Sequence, residues 1–290
     1  MSHPSDIGIF GGDQRQVYMA SAFLQKGYRV FTYRIAEPIH HENCIPLHNL
    51  NELFDKCSLL IGPIPLTRDL VSVASTSASE LTASNLANLL TKEHFLIGGM
   101  IPSALVGICT NKGVPYYDLM KNEKITILNA IATAEGTIME AIQSSNQNLH
   151  GSKCLVLGYG RCAKVLAGKL KGMDAIITVA ARSEEALAYA HATGFQTIYL
   201  SDMKPLLPSY DFIFNTIPTL ILDKSCLELV NRNVTIIDIA SAPGGVDYEY
   251  AMQKKLKAKL CLGLPGKVAP KTSADILVNE IITLIKERSD

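Results

Sequence analysis

With 290 residues, 48% of them hydrophobic and 19% charged, the chain is long enough for two domains of roughly 100–150 residues and lies outside the compositions of disordered and fibrous proteins. Its 27 basic and 27 acidic side chains cancel, which removes the global field that draws proteins to nucleic acid or a membrane surface, so an anionic ligand must be gripped locally. No run of 18 apolar residues is visible, the window "FLIGGMIPSALVGIC" at 95–109 being short and broken by Pro102, and neither a membrane span nor a secretory signal is expected.

In chain order, the first half alternates strand and helix: "IGIF" (7–10), a helical pattern through "RQVYMASAFLQK" (15–26) stopped by Gly27, then "YRVFTY" (28–33), "SLLIGP" (58–63) and "FLIGG" (95–99). The Ser/Thr-rich "SVASTSASELTAS" (72–84) reads as an exposed loop and helix start. "NAIATAEGTIMEAIQSS" has helical spacing of Ile131, Ile138, Met139 and Ile142, and the polar, turn-forming "NQNLHGS" follows it. The second half repeats the rhythm, with strands at "KCLVLG" (153–158), "AIITVAA" (175–181), "FIFNT" (212–216), "VTIIDIA" (234–240) and "KLCLG" (259–263). Short, nearly all-apolar strands between helices indicate parallel sheets covered on both faces. The expected fold is therefore α/β, two Rossmann-like doubly wound parallel-sheet domains joined by a helix. The boundaries are 1–128 for a substrate or partner domain, 129–151 for the connecting helix and linker, and 152–268 for the cofactor domain. Residues 269–290 form a C-terminal amphipathic helix that packs back on the first domain, with Thr272 as N-cap and Asp275 three residues on.

Seven cysteines, an odd number without a C-x-x-C pair, sit mostly among apolar neighbours such as those of Cys109, Cys154 and Cys261. They read as reduced thiols in a cytosolic protein. Of the seven histidines only His150 flanks a motif, and "HH" at 40–41 with Glu42 and Cys44 fits no compact metal site, so no metal is expected.

Gly158-Tyr159-Gly160-Arg161-Cys162-Ala163 is the G-x-G-x-x-A form of the dinucleotide fingerprint, placed between a predicted strand and a predicted helix. Gly158 permits the tight turn, Gly160 lets backbone approach the pyrophosphate, and Ala163 seats the helix close to the sheet. Backbone N–H groups and the positive end of the helix dipole then face the phosphates. An NAD-preferring site places Asp or Glu at the end of the next strand to receive the ribose 2′-hydroxyl. Here "VAARS" (179–183) offers Arg182 and Ser183 instead, which suits a 2′-phosphate and predicts NADP. Arg161 is a second phosphate candidate. "NTIP" (215–218) makes Thr216, Ile217 and Pro218 the cofactor wall, and "DIASAPGG" (238–245) supplies Ala240 and Ser241 for backbone contacts near the nicotinamide.

Together, "GGDQRQ" (11–16), "NAIATAEGTIMEAIQ" (129–143), "HGSKCLVLGYGR" (150–161), "AARS" (180–183), "FNTIP" (214–218), "IIDIASAPGGVDYEYA" (236–251) and "GLPGKVAPKTSADIL" (263–277) resemble the A subunits of dipicolinate synthase. The resemblance runs collinearly from about residue 7 to the C-terminal helix and is least in 35–92. It implies an NADP-linked oxidation of dihydrodipicolinate, or its hydrated precursor, to aromatic dipicolinate during spore formation, together with a flavoprotein-like B subunit. It also implies two Rossmann-like domains, the second akin to the cofactor domain of 2-hydroxy-acid dehydrogenases. A homo-oligomer is expected, without nucleic acid or membrane partners.

Such a dicarboxylate calls for cations, free N–H groups or helix N-termini. Arg15, after the "GGD" turn, is the leading carboxylate clamp, Lys267, Lys271 and Thr272 come from the "GLPGKVAPKTS" loop, and Thr133 and Glu135 stand on the connecting helix where the domains should meet. Glu135 is the candidate proton acceptor. Two other readings stay open: another NADP-dependent dehydrogenase of a small anionic metabolite, of shikimate or hydroxy-acid type, and a non-catalytic NADP-binding regulatory protein.

Overall fold

The computed structural model describes residues 6–67, 69–75 and 81–289. His3 and residues 76–80 of the Ser/Thr-rich stretch lie outside them. The chain divides into two compact units, one of residues up to Thr126 together with those from Ala269 on, the other Ile127–Val268. The first unit runs β1 (Asp6–Phe10), α1 (Gln14–Gln25), β2 (Arg29–Tyr33), β3 (Cys44–Pro46), α2 (Leu50–Lys56), β4 (Leu59–Ile61), α3 (Ala83–Leu89), β5 (Phe95–Gly98), α4 (Ser103–Lys112) and β6 (Tyr116–Asp118). α5 (Glu123–Ser144) carries the chain into the second unit, which runs β7 (Lys153–Leu157), α6 (Arg161–Lys171), β8 (Ile176–Ala181), α7 (Glu184–Ala192), β9 (Gln196–Tyr199), β10 (Phe212–Asn215), α8 (Lys224–Leu227), β11 (Thr235–Asp238), α9 (Tyr248–Gln253), β12 (Lys257–Leu260) and α10 (Leu264–Val268). α11 (Pro270–Ser289) returns to the first unit.

Each unit holds a six-stranded sheet, ordered β3-β2-β1-β4-β5-β6 and β12-β11-β10-β7-β8-β9, with parallel pairing throughout. Counted within each unit, both follow the 3-2-1-4-5-6 order of the doubly wound dinucleotide fold, whose ligand crevice opens between the first and fourth strands. The two Rossmann-like sheets expected from the strand rhythm are therefore present. Three strands without an apolar run to announce them, β3, β6 and β9, complete the sheets at their edges, and the strand read at 259–263 lies at 257–260.

Side-chain alternation divides each core. In the first unit Ile7 and Ile9 face the layer that holds Met19, Ala20, Phe23 and Leu24 of α1, packed with Ala274, Leu277, Val278, Ile281 and Ile285 of α11. Phe10 faces the opposite layer with Leu53 and Phe54 of α2. Gly8 lies on that second face, where a Cβ would come within 3.0–3.1 Å of Leu60, Cys57 and Leu53. In the second unit Cys154 and Val156 join the core of α5 and α6, while Leu155 and Leu157 join that of α8 and α9. Each fully buried Val, Leu or Ile contributes about 1.5–3 kcal/mol.

Two sequence expectations change here. On α5 the stripe that packs is Ala134 and Ala141 with half-buried Ile138, whereas Ile131, Met139 and Ile142 are 38–50% exposed. Small side chains let this helix lie close, and Gly136 sits where a Cβ would meet Leu264 and Val268 at 3.1–3.2 Å. α5 is also the one described helix long and apolar enough to cross a membrane, by length and composition only, a test that core helices also pass. At the C-terminal end, the "GLPGKVAP" loop is instead the short helix α10, and α11 begins at Pro270. Thr272 thus lies inside the first turn of α11, exposed, rather than at its N-cap, and Asp275 pairs with Lys271 at 3.0 Å. Proline favours the first helical turn because its missing N–H is not needed there.

Candidate dinucleotide site

The first strand of the second unit ends in a turn shaped by its glycines. Gly158 has φ +91°, and a Cβ on it would stand 2.5 Å from Thr216 Oγ1. Its N–H donates to Ala180 O at 2.8 Å, while Thr216 donates to Leu157 O through N–H (3.1 Å) and hydroxyl (2.8 Å). The end of β7 is thus held between β8 and β10. Gly160 is the N-cap of α6; no side chain caps the helix, and nothing lies within 4 Å of the place a Cβ would occupy. The first-turn N–H groups of Cys162 and Ala163 have no partner inside the helix. An uncapped helix start with open space over its glycine fits a diphosphate, by hydrogen bonding and by the helix dipole.

Within this turn the side chains divide. Ala163 is fully buried against the sheet. Tyr159 is also buried, its hydroxyl 3.0 Å from Thr193 Oγ1 and its ring set edge-to-face on Phe195, so it presents only backbone to a ligand. Burial pushes the Cys162 thiol up, against the charge of Arg161 and a hydrogen bond with Thr133, which brings Thr133 of α5 to the start of α6. At the neighbouring strand end Ser183 is the N-cap of α7, accepting from Ala186 N at 3.3 Å. Arg182 is exposed, and among the described residues its side chain has no hydrogen-bond or ion-pair partner. No carboxylate side chain occupies 180–183. The edge therefore offers a guanidinium at the place where NAD-binding folds put an acid.

Two further strand ends complete the edge, and a residue that motif reading overlooked joins them. Asp238, the last residue of β11, is fully buried. Its Oδ1 accepts from Asn215 Nδ2 and Ala240 N, both at 2.9 Å, and its Oδ2 from Gly245 N at 2.6 Å and Tyr248 Oη at 2.8 Å. Burial and the Asp238 charge push the Tyr248 phenol above its ordinary range, which keeps it a donor. Asn215, equally buried, accepts from Ile217 N and donates to Ile217 O, both at 3.0 Å, folding the "NTIP" turn around itself. Gly244 and Gly245 leave no room for side chains, since a Cβ would approach Asp238 Oδ2 to 2.6 Å and Asn215 Nδ2 to 2.5 Å. Asparagine before a turn and aspartate closing a strand were the legible signals. Thr216 and Ile217 are half-buried beside this staple, Ala240 is buried, and Pro218 and Ser241 are exposed. Sheet order puts 158–163, 182–183, 216–218 and 240–241 at one carboxyl edge.

The first unit repeats the turn without the opening. Gly11 N donates to Tyr33 O at 2.9 Å, as Gly158 does to Ala180, yet Gly12 N is taken by Ala74 O at 2.7 Å. Asp13 caps α1 with its own carboxylate, and Gln16 returns the capping box to Asp13 N. A Cβ on Gly12 would meet the Gln16 amide at 2.0 Å. A carboxylate already sits where a phosphate would.

Of the proposed substrate residues, Arg15, Thr133, Glu135 and Lys271 are engaged. Arg15 is 7% exposed and donates to both Asp13 carboxylate oxygens, at 2.9 and 2.8 Å, and to Ile64 O. It braces α1 against the segment after β4. Replacing Arg15 with Ala should lower stability by roughly 2–3 kcal/mol, by orphaning the buried Ile64 carbonyl and removing the cation beside the Asp13 carboxylate, while dinucleotide affinity stays unchanged; thermal unfolding and a cofactor titration check both. Glu135 pairs with Lys169 at 2.8 Å, tying α5 to α6, and Thr133 also donates to Asn129 O at 3.0 Å. Lys271 pairs with Asp275. It belongs to the first unit, as do Arg15 and Thr272, whereas Lys267 belongs to the second. No three His, Cys, Asp or Glu side chains cluster as metal ligands among the described residues.

A doubly wound sheet with an open glycine turn, an uncapped helix and walls from the adjoining strand ends defines a nicotinamide-dinucleotide-binding domain of the dehydrogenase type. Residues 123–263 match the D-isomer specific 2-hydroxyacid dehydrogenase NAD binding domain, and residues 6–120 match the N-terminal domain of the dipicolinate synthase A subunit. The chain is 32% identical over 284 residues, 97% of its length and 96% of the relative's, to the dipicolinate synthase A subunit of Bacillus subtilis (strain 168). It belongs to the family of dipicolinate synthase A subunits. Crystal structures of such subunits from Bacillus halodurans (TM-score 0.88, 28% identity, 98% and 99% of the two chains) and Bacillus subtilis (TM-score 0.86, 29% identity, 99% and 97%) share the fold. D-lactate dehydrogenase from Escherichia coli, at 11% identity and TM-score 0.68 over 98% and 97% of the chains, shares the fold alone.

Proposed function

We propose that this chain is the NADP-linked component of a dipicolinate synthase, oxidising dihydrodipicolinate or its hydrated precursor to dipicolinate for spores, together with a B subunit. The observation that carries the reading is the uncapped α6 start at Gly160 beside Arg182, whose side chain has no partner among the described residues. The N–H groups of that first turn would hold the diphosphate, Arg182 the 2′-phosphate, Thr216, Ile217 and Pro218 the adenosine side, and Ala240 and Ser241 the nicotinamide side. When bound, NADP would supply the hydride acceptor, the proton lost with the hydride would pass to Glu135 as the candidate acceptor, and the hydrated precursor would also release water. Aromatisation supplies much of the driving force, so the chain's work is to hold a flat dianion in place, which is positional and electrostatic. Seven free cysteines support a reducing, cytosolic setting. Assembly as a homo-oligomer belongs to the same reading.

The test mixes the protein with a dihydrodipicolinate synthase, pyruvate, aspartate semialdehyde and NADP, with and without the B subunit, and follows NADPH and dipicolinate together. Formation of both, dependent on this chain, is the expected result. NADPH binding without product under either condition would overturn the reaction and favour another anionic substrate or a regulatory role. For cofactor choice, Arg182→Asp with Ser183→Ala should raise the NADPH Kd about 10- to 100-fold, the loss of one charge-assisted contact plus repulsion, and leave the NADH Kd within about twofold. Equal effects on both nucleotides would remove the 2′-phosphate from Arg182.

A further inference from the structure

The two loops that wall the dinucleotide edge of the second unit share one anchor, and each reaches it through a different side chain, Asn215 for one and Tyr248 for the other. Asp238 Oδ1 is bonded to Asn215, which folds the turn around Ile217, and also accepts from Ala240 N at the start of the second loop. Asp238 Oδ2 is bonded to Gly245 N and Tyr248 Oη, which close the loop from Ala240 to Gly245. The 216–218 turn and the 240–245 loop are further joined where Gly245 O accepts from Ile221 N and Leu222 N, each at 2.9 Å. The carboxylate has no exposed surface, and the glycines beside it admit no added Cβ without a contact at 2.5–2.6 Å. Neither loop has slack to compensate for a lost bond. Buried networks of this kind hold geometry because every member is satisfied.

We infer that Asp238 is a positioning residue with two separable arms: through Asn215 it sets the 216–218 wall and thereby dinucleotide affinity, and through Tyr248 it sets the 240–245 loop and thereby the seating of the nicotinamide ring. The inference rests on the dinucleotide lying along this edge with its nicotinamide toward Ala240 and Ser241, as in the function proposed above, but on neither the substrate nor the choice of NADP.

The test needs no turnover. The chain has no Trp, so NADPH or NADH, whichever the wild type binds more tightly, is titrated by its own fluorescence; affinity comes from the curve and nicotinamide seating from the emission of the bound form. Tyr248→Phe should keep Kd within about twofold, since the phosphate and adenosine contacts are intact, and lower the bound emission as the loosened loop admits water. Asn215→Ser should raise Kd about fivefold or more, the worth of one net hydrogen bond, and leave the bound emission at the wild-type value. Circular dichroism and Tm verify folding, and Asn215→Thr, suited to a strand end, replaces the serine variant if that fails. Both readouts moving together in both variants, or neither moving, would overturn the separable arms. A wild-type chain that alters the emission of neither nucleotide would overturn the dinucleotide reading beneath them, which distinguishes the two failures.

Discussion

Gly158→Ala is expected to give a folded protein that binds its dinucleotide about 30- to 100-fold more weakly, the equivalent of one charge-assisted hydrogen bond lost from the diphosphate. Two constraints meet at this residue. At φ +91° an L side chain is strained, and its Cβ would lie 2.5 Å from Thr216 Oγ1. The threonine hydroxyl cannot withdraw without breaking its 2.8 Å bond to Leu157 O, so the turn and the 216–218 wall shift together. Backbone strain alone costs about 1–2 kcal/mol, which a domain stable by about 5–15 kcal/mol survives. Calorimetric titration with NADPH, alongside the Tm, checks the split: a large loss of affinity with a small loss of stability. An unchanged Kd would show that the diphosphate lies elsewhere. Gly168→Ala, on the outer side of α6 where a Cβ meets nothing within 4 Å, serves as the neutral control.

Asp238→Ala should be the most destabilising single change in the second unit. It strands the amides of Ala240 and Gly245, one proton of Asn215 Nδ2 and the Tyr248 hydroxyl. Each orphaned buried donor costs about 1–3 kcal/mol, partly recovered where water enters the hole, for a total of roughly 3–5 kcal/mol. At about 2–4 °C per kcal/mol for a domain of this size, Tm falls by roughly 10 °C. Asp238→Asn keeps the shape but turns an NH₂ toward donors on one side, so it should lie between the wild type and Ala. Scanning calorimetry of the three proteins gives the order, and an Ala variant as stable as the wild type would mean that the staple is redundant.

Much of this architecture could be read from the chain. Apolar runs such as "KCLVLG" and "VTIIDIA" announce strands buried on both faces, and a glycine pair between strand and helix announces the turn, because both depend on neighbours in the sequence. The short edge strands β3, β6 and β9 escaped because an edge strand is recognised by its partner: the half-exposed "QTIY" of β9 becomes a strand only by pairing with β8. The α5 helix was found but not its packing face, since spacing marks an apolar stripe and says nothing of whether Ala134 and Ala141 or Ile131 and Ile142 will meet the sheet.

The same division runs through the site. The backbone conformations at Gly158 and Gly160 were legible in the sequence alone, as was the absence of an acid at 180–183, because a positive φ, an uncapped helix start and a missing carboxylate are local properties. The family, too, was legible in collinear motifs. What only the tertiary structure decided is how charged side chains are used. Nothing around Arg15 in the sequence announces that folding brings Ile64 O, 49 positions away, onto its guanidinium. Asp238 reads as the polar end of a strand until Asn215, 23 positions back, and Tyr248, 10 positions on, converge on it. A buried charge must find its partners wherever the fold brings them, and those distances along the chain leave no periodic mark in the sequence.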